Sequence, residues 1–164
     1  MNANNEWYTP PYIMELVREV LGDINVDPAT CAIAQKAVLA DTWFTEESDG
    51  LAHPWEGTVW CNPPYSMVLL RQFTNKFLEE SLNGNMTEGI MLTNSGTDTL
   101  WNQTLSGFMQ AYTIGRISFL MPNGMEKGKG GRGQVFSYFG ENKEHFAKVF
   151  TANGFCWLPN YELD

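Results

Sequence analysis

The segment Asn62-Pro63-Pro64-Tyr65 directly follows the hydrophobic run 58–61, TVWC, and combines residue types that could bind an amino group. Its two prolines fix the backbone and supply no N–H donors, which leaves the carbonyls of Asn62 and Pro63 free to accept hydrogen bonds. The Asn62 amide oxygen beside a fixed carbonyl would place two acceptors around one exocyclic NH2 group, and Tyr65 could stack on the ring that carries it. A proline-stiffened turn capped by Asn62 is the alternative, and these four residues alone do not decide between the two.

Alternating strand and helix signals surround this segment and must position it. The stretch 9–22 starts with the capping residue Thr9, has Pro10 where a first-turn proline is tolerated, and ends at Gly22, so it predicts an amphipathic helix. The other elements predicted in the first two thirds are strands 24–27, 58–61 and 89–94 and helices 67–82 and about 98–110, with no element assigned in 31–54. This alternation predicts a mainly parallel sheet covered by helices, with ligands beyond the carboxyl ends of its strands.

The last third of the chain predicts a different arrangement. Strand-like runs 112–120 and 133–140 flank a Gly- and Lys-rich loop, and a helix 142–154 and a final strand 155–158 follow. A C-terminal antiparallel hairpin added to the parallel sheet is the simplest arrangement. Because no internal repeat or linker divides the 164 residues, we expect one α/β domain over 1–164.

Composition restricts the class of protein. Apolar residues at 43% and charged residues at 18% are typical of a globular chain. No run is long enough to span a membrane and the N-terminus lacks a basic-then-apolar signal, so we expect a soluble cytoplasmic protein with no membrane partner. Cys31, Cys61 and Cys156 share no short spacing with one another or with His53 and His145, so neither a disulfide framework nor a metal site is predicted.

The charge distribution bears on nucleic-acid binding. A net charge of -9 disfavours it, because Lys and Arg must neutralise phosphates. The basic residues Lys127, Lys129 and Arg132 nevertheless lie together in the Gly-rich stretch 121–134. Such a stretch is typical of a solvated hairpin tip, but the same charges would suit contacts to DNA phosphates.

Four motifs give the chain a family resemblance. NPPY after a hydrophobic strand resembles the catalytic motif of S-adenosylmethionine-dependent amino-methyltransferases, chiefly the DNA adenine-N6 enzymes. WYTPP at 7–11, VDPAT at 26–30 and DGLAHPW at 49–55 resemble cofactor-side motifs of one permutation class, in the order of that class. Together with GRISFLMP and VFSYFG in the last third, the whole chain most resembles the small phage and prophage DNA N-6-adenine-methyltransferases. The fold that this implies is a Rossmann-like methyltransferase sheet of reduced size.

The resemblance also implies residues that bind S-adenosylmethionine. The sequence departs from the family pattern because no glycines follow Ala29 and no clear strand ending in an acidic ribose ligand comes next. The short spacing from Asp27 to Asn62 implies that one or two of the usual seven strands are shortened or missing. Local alternatives stay open, namely a capping aspartate at 27, an Asp-Gly turn at 49 and an aromatic staple at 7–10. The implied cofactor-binding residues are Trp7, Tyr8, Thr9, Pro10, Asp27, Pro28, Ala29, Asp49 and Asn62.

The activity that the resemblance implies is direct methyl transfer to the N6 amino group of adenine in double-stranded DNA, without a metal. Asn62 and the Pro63 carbonyl would accept hydrogen bonds from the two N–H groups of the amine. Tyr65 would support a flipped-out adenine, and Pro64 completes the catalytic segment. Similar NPPY segments serve RNA adenine and protein glutamine methyltransferases, so those substrates remain alternatives. A non-catalytic binding module with a methyltransferase fold is the third. Double-stranded DNA is the expected partner, but the sequence does not decide between a single- and a double-stranded substrate, nor does it predict the recognised DNA sequence or the oligomeric state.

Overall fold

The computed structural model describes residues 7–129 and 131–159 of the chain. The strands are β1 (Val26–Asp27), β2 (Thr42–Trp43), β3 (Gly57–Cys61), β4 (Met86–Asn94), β5 (Met109–Thr113), β6 (Ser118–Leu120), β7 (Glu126–Lys129), β8 (Gln134–Phe139) and β9 (Cys156–Trp157). The α-helices are α1 (Pro11–Leu21), α2 (Gln35–Val38), α3 (Met67–Asn83), α4 (Leu100–Leu105) and α5 (Lys143–Thr151). Short 3-10 helices cover Gly50–Ala52 and Ala152–Gly154.

Seven of the described strands form one sheet in the order β2-β1-β3-β4-β8-β5-β9. β1 pairs in parallel with β2 and β3, and β3 pairs in parallel with β4. β8 runs antiparallel to both β4 and β5, and β9 runs antiparallel to β5. Five strands therefore share one direction, which confirms the predicted Rossmann-like α/β sheet.

The edge of the sheet that carries β1 and β2 is short, as the spacing predicted. Each of these strands has two residues, and the predicted strand 24–27 begins only at Val26. The strands are shortened, and the mixed region 31–54 supplies α2 and β2 between them. A strand that the sequence did not reveal thus follows β1.

The C-terminal hairpin differs in detail from the prediction. The run 112–120 is not one strand, because Gly115 adopts a positive φ of 86° and separates β5 from β6. β6 leaves the main sheet and pairs antiparallel with β7 in a separate two-stranded sheet. Part of the Gly- and Lys-rich loop is therefore strand. The helix expected over 98–110 is also shorter, because Met109 already begins β5.

The strand that precedes Asn62 is buried on both faces. Trp60 belongs to the hydrophobic core under α1 and α5, whereas Val59 and Cys61 belong to the core under α3. Side chains alternate along a strand, so a central parallel strand needs apolar residues at successive positions. This requirement explains the uninterrupted apolar run 59–61, VWC, whose burial holds the end of β3 at a fixed place.

Candidate active site

The carboxyl ends of β1 and β3 open into a cavity of about 420 Å³. β1 and β3 are parallel neighbours, with Val26 paired to Val59, so the residues that follow them emerge at the same edge. Pro10, the N-cap of α1, is the one predicted cofactor residue outside the cavity lining. The predicted residues that line the cavity are Trp7, Tyr8, Thr9, Asp27, Pro28, Ala29, Asp49, Asn62, Pro63, Pro64 and Tyr65.

The Asn62 side chain is held in place by a distant segment. Its Nδ2 donates to the Trp7 carbonyl at 3.1 Å and to Thr9 Oγ1 at 3.2 Å. The Thr9 hydroxyl, predicted to cap α1, therefore accepts a hydrogen bond from Asn62. Pro10 is the N-cap of the helix, which begins at Pro11 without a side-chain cap. Because both amide N–H directions are engaged, the Asn62 Oδ1 is turned toward Tyr65.

Tyr65 contacts the same amide from the other side. Its hydroxyl donates to Asn62 Oδ1 at 2.8 Å and lies 3.4 Å from the Leu92 carbonyl. Burial raises the pKa of this phenol well above its usual range, so it stays a neutral donor. An amide oxygen has two lone pairs, so Asn62 Oδ1 keeps one for a further donor. Within the described residues no donor is bonded to the Pro63 carbonyl.

Asp27 is a buried carboxyl at the end of β1. Its side chain is 2% exposed and accepts hydrogen bonds from the Ala29 amide at 3.3 Å and from Gln35 Nε2 at 2.8 Å. Burial raises its pKa from 3.8 to about 7, although these hydrogen bonds act in the opposite direction. Asp27 thus caps the local turn and lines the cavity at the same time.

Gly50 allows the segment that carries Asp49 to approach Pro28 closely. A Cβ atom at Gly50 would lie 2.0 Å from the Pro28 carbonyl oxygen, so only glycine fits there. The Trp55 indole N–H donates to the Gly50 carbonyl at 2.8 Å. Asp49 adopts a φ of 47° and accepts from the Leu51 amide at 3.1 Å. The segment around Asp49 therefore packs directly against the backbone that follows β1.

Several residues that sequence reasoning missed also line the cavity. Glu46 lies three residues after β2, so an acidic residue does follow a strand, but two-residue β2 leaves little signal in the sequence. Asp27, Glu46 and Asp49 contribute carboxyls, and the described lining contains no Lys, Arg or His. The cavity therefore favours a ligand that carries positive charge. The other residues that the structure adds include Thr30, Cys31, Ser66, Leu69 and Phe73.

The β6–β7 hairpin packs on the N-terminal segment. Tyr8 and Leu120 exchange backbone hydrogen bonds of 3.1 and 2.9 Å, and Trp7 meets Phe119 edge to face at 5.6 Å. The Lys127 ammonium lies 4.1 Å from the centroid of the Trp7 ring. This hairpin therefore carries part of the predicted basic cluster to the side of the cavity.

The other two members of that cluster are Lys129 and Arg132. Arg132 is exposed just before β8, and the Lys129 side chain is outside the described part of the structure. A role for Lys127, Lys129 and Arg132 in DNA binding stays a prediction.

Sequence comparison decides the family. The sequence model of the DNA N-6-adenine-methyltransferase (Dam) family matches residues 1–157 of this 164-residue chain. The chain belongs to this family. The match spans the cavity and both sheets, and it indicates a DNA adenine methyltransferase with DNA as substrate. A search of curated proteins gave no significant match.

The Dam family match also covers every described helix. None of the helices in 7–129 and 131–159 has the length and apolar content needed to cross a membrane.

Proposed function

We propose that this Dam-family chain transfers a methyl group from S-adenosylmethionine to the N6 amino group of adenine in double-stranded DNA. The observation that carries the proposal is the constraint on Asn62. Trp7 and Thr9 hold its amide nitrogen, so its amide oxygen is left to accept a hydrogen bond from a ligand. Pro63, whose carbonyl is the next acceptor along the chain, lines the same cavity. Two acceptors on a stiff backbone are what an amino group needs.

The cavity suits S-adenosylmethionine in size and charge. A volume of about 420 Å³ falls in the range of small-molecule sites, which is about 300–1,000 Å³. When bound, S-adenosylmethionine supplies a methyl group activated on a positively charged sulfonium. Asp27, Glu46 and Asp49 would face its cationic groups, and Trp7 and Tyr8 would contact its apolar parts. The Pro28–Gly50 contact would close one side by backbone.

The chain's own residues would make the adenine amine a better nucleophile. Its lone pair is delocalised into the ring, so the site must favour a more tetrahedral nitrogen. Asn62 Oδ1 and the Pro63 carbonyl would each accept a hydrogen bond from one N–H of the amine. The Tyr65 hydroxyl would orient Asn62 through its 2.8 Å hydrogen bond to Oδ1. Since a stacked adenine cannot reach this cavity, the base must be flipped out of the duplex, with the Tyr65 ring as its support.

Asn62→Ala tests the proposal. Removing one such acceptor lowers the rate of transfer by about 100-fold or more, while calorimetric binding of S-adenosylmethionine stays within a few-fold. The matched control is Asn75→Ala on the exposed side of α3, which should leave transfer unchanged. The assay measures transfer of labelled methyl to duplex DNA, RNA and protein in parallel. Full activity of Asn62→Ala would refute the mechanism, and labelling of RNA or protein but not DNA would favour the alternative substrates.

Site specificity, a phage or prophage origin and a cytoplasmic location belong to the same proposal as predictions. Sequencing of N6-methyladenine in DNA from cells that express the chain would test the first of these. Methylation at one short sequence is the expected result, and methylation without sequence preference would contradict it.

A further inference from the structure

An exposed apolar ridge, formed by Pro64, Met67 and Val68, stands beside the cavity. Met67 and Val68 begin α3 and are 75% and 70% exposed, and Pro64 is also exposed. Their neighbours Ser66 and Leu69 line the cavity. The ridge therefore lies on the rim of the cavity, next to the residues that would bind the target amine.

The ridge is not part of the hydrophobic core of the protein. The buried face of α3 is formed by other positions, among them Leu70, Phe73 and Phe77. Single exposed apolar side chains are common on protein surfaces. Three of them at one rim, directly after the segment 62–65, form a local apolar surface with a specific position relative to the site.

The charge around the ridge suits DNA, although the chain as a whole is acidic. The stretch 62–75 contains Arg71 and no Asp or Glu, in a chain with a net charge of -9. Lys76, which follows it, is paired with Glu80. Arg71 is exposed and lies one helical turn after Met67. This position allows Arg71 to contact a phosphate while the ridge faces the bases.

A flipped adenine would leave an empty place in the base stack close to the ridge. Consecutive Cα atoms are about 3.8 Å apart, so Met67 lies within about 8 Å of Tyr65, a distance of about two base steps. Proteins that open a base step commonly insert Met, Leu, Ile, Phe or Pro side chains into it. Met67 and Pro64 are side chains of this kind, and Val68 is an exposed apolar neighbour of Met67 on the same ridge.

We propose that Met67 and Val68 insert into the DNA stack beside the flipped adenine and hold the duplex open during methyl transfer. This inference rests on the proposed function and deepens it. Insertion into a base stack requires duplex DNA, so it makes the duplex, and not a single strand, the expected substrate.

The test compares two DNA substrates. One is an intact duplex, and the other has an abasic site opposite the target adenine, where pairing is already absent. The double variant Met67→Ser, Val68→Ser should methylate the intact duplex about 10- to 100-fold more slowly, but the abasic duplex at nearly the unaltered rate. Fluorescence of 2-aminopurine at the target position should show reduced flipping in the intact duplex only.

Leu82→Ser is the matched control. Leu82 lies on the same helix, is 78% exposed, and is about 22 Å from Met67 along the axis. This variant should behave like the unaltered chain on both substrates. The retained rate on the abasic duplex also shows that the double variant is folded.

The outcomes separate this inference from the proposed function. Equal loss on both substrates, or an unchanged rate on the intact duplex, would each overturn the insertion of Met67 and Val68 while leaving methyl transfer intact. Activity of the unaltered chain on single strands alone would overturn the insertion and the duplex substrate, but not methyl transfer to adenine. No N6-methyladenine from the unaltered chain on any DNA would overturn the proposed function and this inference together.

Discussion

Replacing Asp27 by Asn should make the protein more stable at neutral and alkaline pH and weaken its binding of a cationic cofactor. Asp27 is 2% exposed, and burial raises its pKa from 3.8 to about 7. Asn has nearly the same shape but does not ionise, so the variant removes the buried negative charge while the turn after β1 keeps its packing.

The magnitude follows from the difference between the folded and unfolded pKa values. Between about pH 4 and pH 7 the folded protein holds a proton on Asp27 that the unfolded chain has released, so the free energy of unfolding falls as pH rises. At about 1.4 kcal/mol per pH unit, a rise from 3.8 to about 7 amounts to about 4 kcal/mol. An Asn side chain has one oxygen, so it cannot accept the hydrogen bonds from both Ala29 and Gln35. The lost hydrogen bond offsets about 1 kcal/mol of the stability gained by removing the charge.

Urea unfolding at pH 5, 6, 7 and 8 measures the effect. The other ionisable groups are shared by the two proteins, so the difference between their free energies of unfolding isolates position 27. We expect this difference to grow by about 1.4 kcal/mol per pH unit up to about pH 7 and then to level off. Parallel stability curves across this range would refute the reasoning, because they would mean that Asp27 is ionised at no cost in the folded protein.

Cofactor binding should change in the opposite direction. A cation near Asp27 favours its ionised form, so the affinity of the unaltered chain for S-adenosylmethionine should rise with pH through about 7. At pH 8, Asp27→Asn should bind about 10-fold more weakly, because the variant cannot offer an ionised partner to the cation. Calorimetric titration of both proteins at pH 6 and pH 8 measures this. An equal affinity at pH 8 would place the cationic groups of the ligand elsewhere.

Two further predictions concern the backbone contact beside the cavity and the basic loop. Gly50→Ala should lower the free energy of unfolding by about 1–3 kcal/mol, because the new Cβ would lie 2.0 Å from a main-chain oxygen. The control Gly107→Ala should not lower it, because a Cβ there meets open space. Urea unfolding measures both variants, and equal stabilities would contradict the close approach. Neutralising Lys127, Lys129 and Arg132 should weaken DNA binding and reduce the slope of log affinity against log salt by about 0.9 for each phosphate that is no longer neutralised. An unchanged slope would assign these residues to a solvated hairpin.

Local features of the chain could be predicted because their signals lie within a few residues. The run TVWC and the two prolines after it define a buried strand and its end, and helix periodicity locates α1, α3 and α5. The four motifs pointed to the family that the sequence comparison shows. Each of these signals depends on neighbours along the chain, so no tertiary structure is needed to read it.

Contacts between distant segments were decided by the tertiary structure alone. Thr9 is a good capping residue by local rules, yet its hydroxyl binds Asn62, which is 53 positions away. The glycine that permits close approach to Pro28 comes from position 50, and the exposure of Met67 depends on which face of α3 meets the sheet. Such pairings are set by how helices and strands pack around a shared core. A local pattern predicts which element forms, whereas packing determines what each side chain meets.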